Sequence, residues 1–297
     1  MLMWAAQFPA YRIASESMSI SALNACTFAL AIVVLLPFAW HWRRRDQPAP
    51  RTRSLGSIVL SFVLLALAGI LPPSLLLSWG IQHSSASNGA ILTLTQPVLM
   101  LALAVPMLGE KFTPRRLIAL VIALVGTVCL SQNDLQHGSF TTSTLVGNAA
   151  IVLGVAGGSF YNIYSKRLLE EFTELEVLIY GFIVAATVCT GMSLLFDPHP
   201  IASLRLVPGR AWISVLVLAI MTWGLAMVLF MWLLKRLDIA QVAVSTYLLS
   251  FFGVILSALT LGERLTIVQI AGGAIVVVAT LMADSVERSS TSHLRVP

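Results

Sequence analysis

The side chains of this sequence that could do chemistry are mostly neutral, and they sit inside long apolar runs. Trp4, Gln7 and Tyr11 fall at i, i+3 and i+7, which places them on one face of a helix over residues 1–15. Gly154, Gly158, Tyr161 and Ser165 make a second small-and-polar face, with Asn162 beside it. Residues 86–108 offer Asn88, Thr95 and Gln96, and residues 239–261 offer Gln241, Ser245 and Tyr247. Carboxamides, hydroxyls and indoles hold a ligand by hydrogen bonding and stacking; they are poor proton carriers and poor nucleophiles at neutral pH. In a bilayer such groups are costly unless they face protein or a water-filled path, so they point to a substrate pathway. The expected substrate-binding residues are Trp4, Gln7, Tyr11, Trp79, Asn88, Gln96, Tyr161, Asn162, Trp223, Gln241 and Ser245.

Each has a structural alternative. Gly and Ser at these spacings let helices pack closely, and Asn or Gln often bonds a neighbouring helix. Packing is favoured for Gly154, Gly157 and Gly158, and the two readings stand level for Gln7, Asn88, Asn162 and Gln241. Trp4 and Trp79 could instead belong to an interfacial aromatic belt, as expected of Trp40, Trp42 and Trp212, whereas Trp223 lies well inside its apolar run. Pro72-Pro73 and Pro97 free backbone carbonyls near mid-membrane and mark either hinges or static kinks.

The charged inventory narrows the chemistry further. All thirteen carboxylates and all five histidines fall near loops or span ends, so no buried proton relay is expected. That favours facilitated diffusion, exchange or weak coupling, and a neutral or zwitterionic, partly apolar solute. An enzyme is not expected: there is no Gly-x-Ser-x-Gly elbow, no His-Glu-x-x-His, no phosphate loop and no intramembrane aspartate pair. Cys26, Cys129 and Cys189 lie far apart in apolar runs, which fits small core residues rather than a disulfide framework or a zinc site. No metal and no cofactor are expected. An anionic solute such as a nucleotide sugar or organophosphate would want Lys or Arg in the cavity, and only Arg12 and Lys166 come near. A non-transporting receptor is the other rival.

The elements that must position these groups are set by composition. Of 297 residues, 58% are hydrophobic and only 10% charged; a soluble domain carries roughly a quarter charged residues. A spanning helix needs about 20 apolar residues. Apolar runs place helices at about 1–15, 20–42, 55–80, 86–108, 114–132, 145–168, 174–196, 211–234, 239–261 and 266–284. The start at Met1 lacks the basic segment and small-residue site of a cleavable signal peptide, and the first run is short for a span. With this alternation 14 of the 18 basic residues fall in loops on the amino-terminal side and 4 on the other. Positive charge accumulates in the cytoplasm, so both termini are expected there, in the cell membrane. The net charge of +5 is therefore a topology signal and not a nucleic-acid footprint.

An internal repeat runs through this pattern. Sliding residues 79–130 forward by 153 positions matches eleven of 52, including Trp79 on Trp232, Thr93 on Thr246, and the block Leu108-Gly109-Glu110 on Leu261-Gly262-Glu263. In that block Gly is expected to end a helix at positive φ, with Thr113 and Thr266 capping the next one. Glu110 and Glu263 read as loop carboxylates. The expected fold is an all-α integral membrane protein of ten transmembrane helices in two inverted five-helix repeats. The repeats are residues 1–132 and 145–284, joined by residues 133–144 and followed by a cytoplasmic tail over 285–297. An odd number of spans per repeat inverts the second against the first, a recurrent plan of secondary transporters.

The duplicated Leu-Gly-Glu-basic block, Gln96-Pro97 and the basic Lys166 closing its span make the chain resemble the EamA family of the drug/metabolite transporter superfamily. The resemblance covers nearly the whole chain. It implies a ten-helix exporter of metabolites, amino acids or drugs, with a central cavity between the two repeats. Two departures stand out: the first span is short, and Ser250 occupies the position that corresponds to Pro97. The expected partners are a small-molecule substrate and the lipid bilayer, with no nucleic acid; no oligomeric state follows.

Overall fold

The computed structural model describes residues 1–42, 53–96, 142–198, 200–236 and 239–262, with isolated positions at 99–100, 102–103, 107, 267, 271 and 274. Among them every regular element is helical. α1 is Leu2–Ala5 running through Ala6 into Gln7–Ser15. α2 is Ile20–Trp42, α3 is Leu55–His83, and α4 runs from Ala86–Leu92 into a tight turn at Thr93–Thr95. α5 is Thr142–Leu168, α6 is Glu174–Phe196, α7 is the short Pro200–Arg205, α8 is Gly209–Arg236 and α9 is Ile239–Leu261. Five of these, α2, α3, α5, α6 and α8, are long and apolar enough to cross a membrane. The expected helix at 114–132 and all but three positions of that at 266–284 lie outside the described residues, as do Pro97, Cys129, Glu110 and Glu263. α3 runs on to His83, beyond its expected end at 80.

Local chemistry explains where the helices start. The Ser54 and Ser85 hydroxyls accept from the amides of Ser57 and Asn88, capping α3 and α4. Thr173 and Glu176 form a reciprocal capping box on α6. α9 ends at Gly262, whose φ of +67° is open to glycine at little cost, as the repeat block led us to expect.

The offset of 153 recurs in the helices themselves. α4 and α9 begin at Ala86 and Ile239, 153 positions apart, and α2 and α6, both 23 residues long, begin at Ile20 and Glu174, within one residue of the same offset. Three stretches are wound wider than an α-helix, with π-type i→i+5 bonding: Leu65–Ile70 and Pro72–Leu76 in α3, and Leu218–Ala226 in α8. The first and the last begin 153 positions apart. Pro72 opens the second π stretch, so both hinge candidates in α3, Pro72 and Pro73, lie in a region already wound away from α geometry.

Contacts at the helix ends show which elements run against each other. The start of α3 and the end of α8 meet one loop: Arg53 pairs with Glu171 at 2.8 Å and Lys235 approaches Glu174 at 3.5 Å. α3 and α8 therefore run in opposite directions. At the other end of the bundle, Ser19 and Ser21 beside the start of α2 donate to Asp197 at the end of α6, at 2.6 and 3.3 Å, so α2 and α6 are antiparallel too. Helices at matching repeat positions are thus reversed relative to one another.

Two kinds of surface hold the bundle. Glycines let α3 and α5 approach closely: a Cβ on Gly80 would lie 2.6 Å from the Gly147 carbonyl, and one on Gly157 2.5 Å from Pro72 Cβ. Phe28, Phe182 and Trp223 join α2, α6 and α8, with ring centroids 5.0–5.7 Å apart. The outside is greasy, with Val33, Leu36, Leu60, Leu67, Leu194 and Leu229 all exposed. Lipid tails solvate such a belt where water would not.

Candidate functional site: a neutral central cavity

Between α1, α3, α4, α5, α8 and α9 lies a cavity of about 510 Å³ of atom-free space, part of it open to the exterior. Trp4, Gln7, Gln96, Tyr161, Asn162 and Trp223, six of the residues expected to bind substrate, line it, and Pro73 lies on its wall. Leu77, Val155, Met227 and Leu249 supply most of the apolar remainder. No Asp, Glu, Lys, Arg or His is among the lining residues.

Hydrogen bonding separates residues that hold the frame from those that face the cavity. Gln7 and Gln96 are both buried, yet neither side-chain amide has a hydrogen-bond partner. Asn162 donates only to the sulfur of Met100, a weak acceptor 3.5 Å away, which leaves its carbonyl oxygen free. Amides that line a cavity and leave hydrogen-bonding capacity unused within the protein offer it to a guest, so these three are a standing preference for a polar one. The Tyr161 and Ser165 hydroxyls are also buried without a partner. Thr93 is already satisfied, bonding the Ala90 carbonyl at 2.6 Å and Ser250 on α9 at 2.8 Å.

Tyr11, Trp79 and Asn88 are placed elsewhere. Tyr11 is fully buried one turn beyond Gln7, where its hydroxyl accepts from Trp223 Nε1 at 3.0 Å; it supports the wall instead of forming it. Trp79 stacks on His83 at 3.9 Å between centroids, and His83 Nδ1 donates to the Trp79 carbonyl at 2.8 Å, so this indole is tied to the end of α3. Asn88 sits in the first turn of α4, where its amide donates to Ser84 at 2.9 Å. The side chains of Gln241 and Ser245 lie outside the described residues. Gly154 and Gly157 pack against α3 as expected, but Gly158 lines the cavity: a Cβ there would meet nothing nearer than 3.8 Å.

Sequence reasoning missed Thr93, Leu249 and Gly69 as lining residues, and gave Gly158, which it placed on the polar face of α5, to packing. For Thr93 a signal existed in its identity with Thr246 across the repeat; for the others the signal is the fold. Arg12, one of two possible anion partners, is occupied elsewhere. It donates to the carbonyls of Ile81, Gln82 and Ser84 at 2.9, 2.8 and 3.4 Å, while Gln82 returns a bond to the Ser15 carbonyl at 2.9 Å. This reciprocal clasp fastens the end of α1 to the end of α3.

Comparison with known proteins gives the same architecture a family. The sequence profile of the EamA-like transporter family matches residues 1–132 and again 139–283. A protein of Streptantibioticus cattleyicolor named "Probable terminal-alkyne amino-acid exporter" is 28% identical over 95% of this chain and 89% of its own length. YyaM of Bacillus subtilis, named as an uncharacterized transporter, is 23% identical over 77% of this chain and 74% of its own. A solved crystal structure aligns over 95% of both chains with a TM-score of 0.62 at 18% identity, a likeness of fold. With both halves matched and its helices built to cross a bilayer, this multi-pass membrane protein belongs to the EamA-like transporter family.

Proposed function

We propose that the protein is a secondary exporter of a small neutral or zwitterionic metabolite, amino acids foremost, working by alternating access around the central cavity. The observation that carries this reading is the cavity's chemistry. It has no charged lining residue and three amides with unused hydrogen-bonding capacity, set among indole, phenol and aliphatic surfaces. Such a lining suits a solute with polar ends and an apolar body, because each free amide offers both a donor and an acceptor. An anionic sugar phosphate would find no cation on the wall, and Arg12 is committed to three backbone carbonyls.

The reversed pairing of α3 with α8 and of α2 with α6 supports two inverted repeats, and with them a mechanism in which the halves exchange conformations. The full arrangement would have ten spans, in repeats over residues 1–132 and 145–284, with both termini in the cytoplasm of the cell's plasma membrane. Gln241 and Ser245 would complete the cavity from α9, and Pro72, Pro73 and Pro97 would lie where the helices flex. The relative named as an amino-acid exporter points to the same solute class. The test is counterflow into proteoliposomes with labelled L-leucine and L-phenylalanine, beside an organic cation and a sugar phosphate. Saturable amino-acid uptake, competed by unlabelled solute, is expected; uptake of the sugar phosphate alone would overturn the substrate class.

A further inference from the structure

A polar chain crosses the bundle behind the cavity wall, and its connecting side chains are buried. Trp223 Nε1 donates to Tyr11 Oη at 3.0 Å, and Tyr11 donates to Asn24 Oδ1 at 3.4 Å. Asn24 Nδ2 then donates to the Ile20 and Ser74 carbonyls at 2.9 and 3.3 Å and to Ser78 Oγ at 3.4 Å. Ser78 in turn donates to the Ser74 carbonyl at 2.6 Å. Tyr11, Asn24, Ser74 and Ser78 have no solvent exposure. The chain thus begins on the π-wound stretch of α8, passes through α1 and α2, and ends on a π-wound stretch of α3.

We infer that Asn24 is a positioning residue for substrate binding: through Tyr11 it holds the Trp223 indole in the cavity wall and ties that indole to the π-wound turn of α3. Three features carry this. Trp223 is the one member of the chain that lines the cavity. Its ring is bounded by the edges of Phe28 and Phe182, at 5.0 and 5.7 Å, which fix its place in the packing while the Nε1–H bond fixes its rotation. Asn24 accepts from Tyr11 at its oxygen and donates from its nitrogen to Ser78 and to the Ser74 carbonyl, and a carboxamide does both at once. It therefore joins a donor arriving from α1 to acceptors on α3. A leucine of similar size could do neither.

The test uses the full chain in lipid nanodiscs with 15N-labelled tryptophan, and Trp223→Phe to identify the Trp223 indole signal. Tyr11→Phe and Asn24→Leu should each move that signal upfield, as a lost hydrogen bond does, and leave those of the outlying Trp40 and Trp232 in place. In leucine counterflow, both variants should raise the half-saturation concentration about five- to tenfold, the size of one hydrogen bond, with the maximal rate within about twofold. Added to Trp223→Phe, Asn24→Leu should raise it no further, because residues acting through one network are not additive. A Trp223 signal unmoved by Tyr11→Phe, or full additivity of Asn24→Leu with Trp223→Phe, overturns the inference. The transport arm rests on the proposed solute class. Should the unaltered protein take up no leucine, that class fails and the indole signal still decides the relay. Tyr11→Phe, smaller by one oxygen, carries the test if Asn24→Leu does not fold.

Discussion

Replacing Gly158 by alanine should narrow the cavity without disturbing the helices that form it. A Cβ built on Gly158 has Gln96 Nε2 and Pro73 Cβ as its nearest neighbours, both at 3.8 Å, an ordinary contact distance. Nothing needs to shift, and an interior helical Gly→Ala change contributes up to about 1 kcal/mol of helix propensity. The methyl group occupies roughly the space of one water, about 30 Å³, in a cavity whose 510 Å³ or so of atom-free space includes its open mouth. Pockets discriminate a single methylene by about 1–3 kcal/mol, or roughly 10–200-fold. Transport efficiency for phenylalanine should therefore fall about tenfold relative to that for alanine, measured as the ratio of counterflow maximal rate to half-saturation concentration. Thermal unfolding in detergent should be unchanged or shifted upward. The control is the neighbouring Gly157→Ala, whose Cβ would sit 2.5 Å from Pro72 Cβ and 3.1 Å from the Ala68 carbonyl. Overpacking of that kind costs about 1–3 kcal/mol. If Gly158→Ala lowers stability as Gly157→Ala does, or slows large and small amino acids equally, Gly158 is a packing residue and the placement of the cavity floor is wrong.

Three other outcomes are expected. Gln7→Leu and Gln96→Leu each replace a cavity-facing amide by an apolar group of similar size, so thermal stability should hold or rise slightly while leucine counterflow weakens about three- to tenfold; unchanged transport in both would remove the amides from the site. Arg12→Met breaks three bonds to the end of α3, so stability should drop by roughly 1–3 kcal/mol, and hydrogen exchange at Ile81–Ser84 should accelerate; unaltered exchange there would show that the clasp does not hold that end. With no Asp, Glu, Lys, Arg or His on the described wall, leucine counterflow should vary less than about twofold between pH 6 and 8; a tenfold change, or fixed proton stoichiometry, would contradict an uncoupled cavity.

What could be read from the chain alone follows the physics of each signal. The offset of 153 was visible as identities between residues 79–130 and 232–283, and the starts of α4 and α9 and the π-wound turns repeat at that interval because the same apolar length has to be spanned twice. Trp4 and Gln7 were legible as a polar face on α1. Tyr11 shares that face, but it lies a turn deeper, where a partner indole takes up its hydroxyl. Trp79 and Asn88 were chosen on polarity and repeat equivalence, and local chemistry claimed both. His83 one turn on offers a flat partner for the indole, and the serine pair at 84–85 makes Asn88 part of a helix start. That serine pair before an apolar run was itself a capping signal. Asn24 passed unremarked although an amide within a 23-residue, largely apolar run was plain to see. The winding of Leu65–Ile70 and Leu218–Ala226 left no mark in residue types, because it is decided by how each helix must turn its side chains to meet its neighbours.

The wide turns in α3 and α8 have a mechanical meaning. Each is a dislocation in an otherwise regular helical lattice, and a dislocation can glide. When one amide exchanges an i→i+5 acceptor for an i→i+4 one, the defect advances by a residue and the helix beyond it rotates, while the number of backbone hydrogen bonds stays the same. In hydrocarbon, where every unpaired amide costs several kcal/mol, that is among the few ways a spanning helix can change the face it presents without unravelling. With one such defect at the same station in each half of the chain, the two helices carry matched swivels.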